Sequence, residues 1–282
     1  RLGGLHSAQM IMYSVDFAPI EALQHAGDWD TAASLLIDAA RRLEAGGADF
    51  FLIGTNTMHR VAETICAGVD IPLLHIADAT GEVLQQDGVR RIGLLGTAFT
   101  MEQDFYKGRL EQKGLAVRVP SKKDREIVHR IIYEELCLGQ IHERSRDEYL
   151  RIIDQLHAAG AQGVIEGCTE IGMLVNENHT DVPLFDTTRI HAEQAVAFDG
   201  RLDLFRAGCD PQGARGRGTV GEGLLGDVGG AGDVLVGGVR ARADQRHGEA
   251  DGQEGIQGSF DGVSHGEFST VQNGSKVPFF SP

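Results

Sequence analysis

Up to about residue 198, short apolar runs alternate with longer stretches in which apolar residues recur every three or four positions. The runs AQMIMYSVDF (8–17), FFLIG (50–54), RRIGLLGT (90–97), GVIEG (163–167) and VPLFD (182–186) read as strands. Between them, DWDTAASLLIDAARRLEAGGAD (28–49) reads as a helix, capped at its start by Asp28 or Asp30 and ended by Gly46-Gly47. TMEQDFYKGRLEQKG (100–114) reads as another, with Thr100 and Gln103 at capping-box spacing. DREIVHRIIYEELCLG (124–139) and RDEYLRIIDQLHAAG (146–160) add two more. Strand and helix in this rhythm predict an α/β fold, a parallel sheet wrapped by helices in three layers. Ligands in such folds sit at the carboxyl ends of the strands.

The alternation ends near Gly200. Beyond it roughly a quarter of the residues are glycine, against a usual share of about 7%. A segment such as GARGRGTVGEGLLGDVGGAGDVLVGG has no helical or strand period and buries too little apolar surface to offset its ordering entropy. Residues 199–282 therefore read as a disordered tail or, the favoured reading, as a wrongly joined reading frame; no site is assigned there.

One sequence pattern occurs twice. IGTNTMH (53–59) and IEGCTEI (165–171) have the same layout, and the match extends outward. Gly47-Ala48 pairs with Gly160-Ala161, Gly54 with Gly167, Thr55 with Cys168 and Asn56 with Thr169, all at an offset of 113 residues. Downstream, VDIPLLH (69–75) resembles TDVPLFD (180–186). The expected organisation is two copies of one α/β unit related by internal duplication. Residues 1–90, completed by 186–198, form the first, and residues 91–185 form the second. With the two units facing each other, Thr55 and Cys168 would stand on opposite walls of one cleft.

Composition narrows the partners. Of 282 residues, 41% are hydrophobic and 24% charged, which suits a globular protein. A net charge of -15 argues against nucleic acid and anionic membranes as partners. No apolar run approaches the roughly 20 residues of a membrane span, and the opening RLGGLHSAQ has no apolar leader core. Cys66, Cys137, Cys168 and Cys209 lack metal-ligand or disulfide-framework spacing, so reduced thiols and a cytoplasmic location are expected. No lysine stands in a Schiff-base context and no G-x-G-x-x-G follows a strand, so no cofactor and no metal are expected.

The segments RLGGLHSAQ, YSVDF, TNTMHRVAE, LHIADAT, LLGTAFTMEQDFY, IYEELCLGQ, GCTEIG and VPLFDTTRIHAE together resemble the aspartate/glutamate racemase family, over nearly all of residues 1–198. The resemblance implies two similar α/β domains with the active site at their interface. It implies cofactor-independent interconversion of L- and D-aspartate or glutamate by two-base proton transfer at Cα. One Cα acid/base comes from a Cys-Asn-Thr loop and the other from a Gly-Cys-Thr loop; here Cys168 takes one position and Thr55 the other. Asn56, Thr57 and Thr169 fall on the carboxylate-binding positions, and Gln24 on the position that meets the side-chain carboxylate. The family also implies a small-molecule amino-acid partner and a homodimer.

The chain departs from the family in two places. TNT stands where most relatives have CNT, which marks a subgroup with Thr for the first catalytic Cys. A thiol near pKa 8.5 can be tuned towards neutrality, whereas a Thr hydroxyl is normally protonated and serves as a proton donor or relay rather than a base. Asymmetric catalysis is expected, with Cys168 abstracting the proton and Thr55, or a water it holds, delivering one to the other face. Relatives also begin with a strand and a Gly-Gly-Met-like loop before the segment matching Arg1. The expectation is an N-terminally truncated chain whose first sheet lacks a central strand.

Several other residues attract attention. His59 follows the first loop and is placed to orient it, while His191 lies within DTTRIHAE. Tyr133 reads as a lid or core residue, Cys137 as core and Cys66 as structural. Glu170 beside Cys168 would raise the thiol pKa if close. Two competing functions remain open. One is a single-thiol decarboxylase or isomerase of the same superfamily; the other is a non-catalytic protein that binds dicarboxylic amino acids.

Overall fold

From its first described residues the chain runs through β1 (Met10–Asp16), α1 (Phe17–Ala26), α2 (Trp29–Ala45), β2 (Phe50–Ile53), a 3-10 turn (Thr57–Val61), α3 (Ala62–Cys66) and α4 (Ile76–Gln86). It continues as β3 (Arg91–Gly96), α5 (Ala98–Glu102), α6 (Asp104–Gln112), β4 (Ala116–Arg118) and α7 (Lys122–Glu134). A second 3-10 turn (Leu136–Leu138), α8 (Glu143–Ala158), β5 (Val164–Gly167), α9 (Ile171–Leu174), β6 (Leu184–Asp186) and α10 (Thr187–Ala197) follow. This computed structural model describes residues 8–197 and the backbone of one further strand, β7 (Asp233–Val239). The chain divides into the units Arg1–Ala243 and Asp244–Pro282, and all described residues belong to the first.

Strands β4, β3, β5 and β6 lie side by side in that order, all parallel. The middle pair is buried almost throughout, which is why both read as continuous apolar runs rather than alternating ones. Helices cover the sheet through apolar stripes. α8 buries Tyr149, Ile152, Ile153 and Leu156, at three- and four-residue spacing. In the first half α2 does the same with Ala32, Ala33, Leu36, Ala39, Ala40 and Leu43. Its start is capped by Asp28, whose carboxylate accepts from the Thr31 amide at 3.1 Å.

The two Gly-Ala pairs end their helices in the same way. Gly47 and Gly160 adopt left-handed φ of 85° and 96°, which only glycine takes without strain. The next amide then turns back into the helix: Ala48 donates to the Leu43 carbonyl at 3.1 Å and Ala161 to that of Leu156 at 3.0 Å. Each turn feeds directly into a buried strand.

Four expectations require correction. The first sheet is not purely parallel, because its order is β1-β7-β2 with β7 antiparallel to both neighbours. Met10 pairs with Val239 and Asp16 with Asp233 on one side; Phe50 pairs with Val239 and Ile53 with Val236 on the other. The slot between β1 and β2 is therefore paired, and 199–282 is not uniformly without regular structure; the remainder of that stretch lies outside the described residues. Second, the helix expected over 100–114 is two helices. Gln103 is extended, at φ -94° and ψ 156°, so that Met101 and the pair Tyr106, Leu110 can bury in different apolar clusters. Third, Thr97 rather than Thr100 caps α5, its hydroxyl accepting from the Thr100 amide at 3.3 Å. Fourth, Cys66 is disulfide-bonded rather than a reduced thiol. Helices α1 and α4 and strand β4 were not anticipated.

Deleting residues 199–282 removes the strand that β1 and β2 share. Amide exchange at 10–16 and 50–53 should then accelerate about 10-fold or more, while β3 and β5 keep their protection. Hydrogen exchange by mass spectrometry reads this directly; unchanged protection of β1 would refute the central place of β7.

Candidate active site

Strands β2 and β5 end in loops that open into one cavity. Gly54, Thr55 and Thr57 come from the first loop, and Cys168, Thr169 and Glu170 from the second. Thr97 enters from the end of β3, Phe17 and Gln24 from α1, and Ile132, Tyr133 and Cys137 from α7 and the turn after it. Both sheets thus contribute walls. The ends of β3 and β5 approach so closely that only glycine fits: a Cβ on Gly167 would lie 2.5 Å from the Leu95 carbonyl oxygen, and one on Gly96 2.8 Å from that of Gly167. The cavity encloses about 60 Å³, small beside the roughly 300 Å³ of an ordinary ligand pocket.

The first loop is held by buried hydroxyls. Thr57 Oγ1 lies 3.0 Å from Thr97 Oγ1, which is 3.3 Å from Thr100 Oγ1. Asn56 does not line the cavity. Its Nδ2 donates to Thr187 Oγ1 at 3.0 Å, and that hydroxyl donates to the Glu166 carbonyl at 2.8 Å. Asn56 thus ties the first loop to the start of α10 and to β5. The Asn56 Oδ1 and Glu166 Oε1 atoms are buried without a hydrogen-bond partner.

On the second loop, the Cys168 thiol donates to Glu170 Oε2 at 2.9 Å. Burial, then the Glu170 charge, hold the Cys168 pKa well above the usual thiol range. Burial likewise pushes Cys137 up to about 12, with Glu170 adding to it. Both thiols are therefore held protonated. Gln24 is buried and engaged: its Oε1 accepts from Tyr133 Oη at 2.9 Å and its Nε2 donates to Met58 Sδ at 3.0 Å. The Tyr133–Gln24 bond spans the cavity from α7 to α1.

Of the residues singled out from the sequence, the cavity therefore gathers Thr55, Thr57, Gln24, Cys168 and Thr169, with Asn56 behind them. The sequence reading missed Phe17 and Thr97 and assigned Cys137 to the core. Thr97 carried a readable signal, since it follows the apolar run of β3 at a Gly-Thr step, as Thr55 follows β2. His59 and His191 lie outside the lining and are fully buried with His75. Among the described residues no group of three or more His, Cys, Asp or Glu side chains is placed to hold a metal ion, and no helix is long and apolar enough to cross a membrane.

Comparison with known proteins shows what the chain resembles. Residues 1–195 match the Asp/Glu/hydantoin racemase family model. A solved structure from Yersinia pestis, described as that of a candidate Asp/Glu racemase, is 58% identical; the match covers 70% of this chain and 86% of that one, with a TM-score of 0.65. A second, an aspartate racemase homologue from Pyrococcus horikoshii OT3, is 36% identical over 66% of this chain and 81% of that one, with a TM-score of 0.57. The broad-specificity amino-acid racemase RacX of Bacillus subtilis (strain 168) is 22% identical over 177 residues, 60% of this chain and 73% of its own.

Two pH effects follow from the buried groups. Burial lowers His59 to about 3, His191 to about 4 and His75 well below 6.5. The unfolded chain then binds more protons than the native one below pH 6.5, so the contribution of these histidines to stability is full above that value and is lost as pH drops towards about 3. Thermal melts across that window should show Tm declining steadily, and a flat profile would contradict neutral burial. Glu166 acts in the opposite sense. Burial, then Asp186, raise it to about 8, so the native state holds a proton the unfolded state has lost, and stability declines from pH 4.5 through about 8. Glu166→Gln should therefore stabilise the protein above pH 8, by on the order of 1–3 kcal/mol, and have little effect at acid pH.

Proposed function

The chain belongs to the Asp/Glu/hydantoin racemase family and is an amino-acid racemase, and on that premise we propose that it inverts aspartate or glutamate by proton transfer between Cys168 on one face of Cα and Thr55 on the other. The observation that carries this reading is that a thiol and a hydroxyl, from matched loops after β5 and β2, line one cavity.

An amino-acid Cα–H is a weak acid because the adjacent carboxylate resists further negative charge. With no carbon framework to delocalise that charge, the site must stabilise it by donors aimed at the carboxylate. The hydroxyls of Thr57, Thr97 and Thr169 line the cavity and have the right chemistry. Asn56 supports this from behind, by fixing the loop rather than by touching the substrate. Excluding water strengthens each of these donors.

Cys168 is the abstracting side. Its thiol already points at Glu170, so the Cα proton can pass to sulfur as the thiol proton passes to the carboxylate. A substrate ammonium near Glu170 would lower the thiol pKa by offsetting the charge that now raises it. Thr55 relays the second proton through a water it holds, and the proton taken up by Glu170 returns through solvent between turnovers, so that no alkoxide remains. Because a hydroxyl is a far poorer base than a thiolate, the two directions should differ in rate at the chemical step, while the equilibrium constant stays at one. The small cavity implies that α1 and α7 separate to admit substrate, which breaks the Tyr133–Gln24 bond and frees the Tyr133 hydroxyl, beside the Gln24 amide, to donate to the side-chain carboxylate.

A second reading uses one thiol alone, to protonate an enediolate left by decarboxylation. The absence of a thiol at Thr55 favours it, and the family favours racemisation.

Incubation with L-aspartate, and separately L-glutamate, in D2O tests these readings, with the Cα–H signal followed by proton NMR and configuration by chiral analysis. Cys168→Ser should lose about 100-fold or more of the exchange. Thr55→Val should keep exchange and lose inversion. Loss of inversion in Cys137→Ser instead would move the second role to that thiol. Release of carbon dioxide from a disubstituted malonate, with both amino acids untouched, would support the decarboxylase.

A further inference from the structure

Three imidazoles from three elements sit together beneath the Thr55 loop, outside the cavity lining. His59 belongs to the first 3-10 turn, His75 caps α4 and His191 lies on α10. The His59 ring centroid is 4.4 Å from that of His75 and 6.0 Å from that of His191.

The hydrogen bonds of His59 fix its tautomer. Nδ1 lies 2.8 Å from the Thr55 carbonyl oxygen, which can only accept, so Nδ1 carries the hydrogen. Nε2 lies 3.2 Å from the Ile76 amide, which can only donate, so Nε2 is bare. A protonated ring would set two N–H groups against each other. Burial first, then His191, with Arg109 adding to both, keeps His59 neutral.

The far end of this strut is anchored. His75 Nδ1 accepts from the Ala77 amide at 3.1 Å and so fixes the first turn of α4. His191 Nε2 donates to the Leu74 carbonyl at 2.8 Å, which ties the same corner to α10. The Thr55 side chain has no comparable support: Oγ1 makes no hydrogen bond among the described residues, whereas Cys168 has Glu170. The hydroxyl stands wherever its backbone puts it.

We propose that His59 is a positioning residue for Thr55, holding its hydroxyl at the place the second proton transfer requires by bracing the Thr55 carbonyl against the start of α4. The proposal rests on the racemase reading above. It assigns His59 no contact with substrate. Its loss should damage only the half of the reaction that uses Thr55.

The two amide replacements separate the two bonds. His59→Asn places an amide N–H where Nδ1 stands and keeps the bond to Thr55. His59→Gln reaches the Nε2 position and keeps only the bond to Ile76. In D2O, His59→Gln should lower inversion about 10- to 100-fold, while Cα exchange with retention, driven by Cys168, stays within about twofold of wild type; His59→Asn should restore most of the inversion. Equal loss of exchange and inversion in both variants would indicate a merely structural role and overturn the proposal. So would full inversion in His59→Gln. Nitrogen-15 NMR of the wild-type imidazoles gives a readout independent of activity. His59 should appear as the neutral Nδ1–H form, and an Nε2–H form would overturn the proposal even if either variant misfolds. Wild-type protein without Cα exchange would instead refute the racemase reading and leave the tautomer result standing.

Discussion

Buried polar side chains at the ends of the strands satisfy one another, and this constraint ties the two sheets together. Leaving a buried donor or acceptor unpaired costs about 1–3 kcal/mol, more than a typical hydrogen bond contributes net. Here the polar groups pair across the chain rather than locally. Thr57 of the first loop meets Thr97 of β3, and Asn56 meets Thr187, which reaches back to β5. The first two bonds each join a residue near position 56 to one at least 40 positions away. Shifting either strand end would strand several of these groups together. The geometry of the candidate site is therefore fixed by the same bonds that satisfy most of these buried polar groups.

Among the described residues, two of the three unpaired exceptions fall beside the site; the third, Tyr106 Oη, lies in a separate apolar cluster. Asn56 Oδ1 and Glu166 Oε1 are buried without partners, within the same Asn56–Thr187–Glu166 network. Natural structures keep such groups at functional places more often than elsewhere. Glu166 is held protonated at neutral pH by burial and by Asp186. A neutral carboxyl there keeps a second negative charge away from the second loop, where Glu170 already opposes ionisation of Cys168.

Much of the fold was legible because burial leaves a periodic trace. Five strands and the cores of α2, α7 and α8 show it directly, and the matched Gly-Ala turns marked where β2 and β5 begin. What failed to show had specific reasons. The break at Gln103 depends on two apolar clusters competing for neighbouring residues, which no local pattern encodes. Strand β7 lies in a Gly-rich stretch whose composition argues against regular structure; its place comes from the pairing needs of β1 and β2, which are tertiary. The site showed in part. Thr55, Thr57, Cys168 and Thr169 follow strands at repeated positions, so the sequence announced them. The direction of Asn56 did not show, because a loop asparagine can face the cavity or the core, and the choice depends on Thr187, 131 residues away.

In the proposed mechanism the inequality between the two faces of the site extends beyond the atoms that would transfer protons. On that reading Cys168 has an adjustable partner: an ammonium beside the Glu170 carboxylate would offset the charge that helps to raise the thiol. Thr55 has no such partner, and a hydroxyl far from its pKa has little to gain from one. Its contribution depends on where it stands. One face is therefore controlled by charge and the other by geometry, and the supporting residues divide accordingly. An ionisable carboxylate stands beside the thiol, and a neutral imidazole with a fixed tautomer braces the backbone of the hydroxyl.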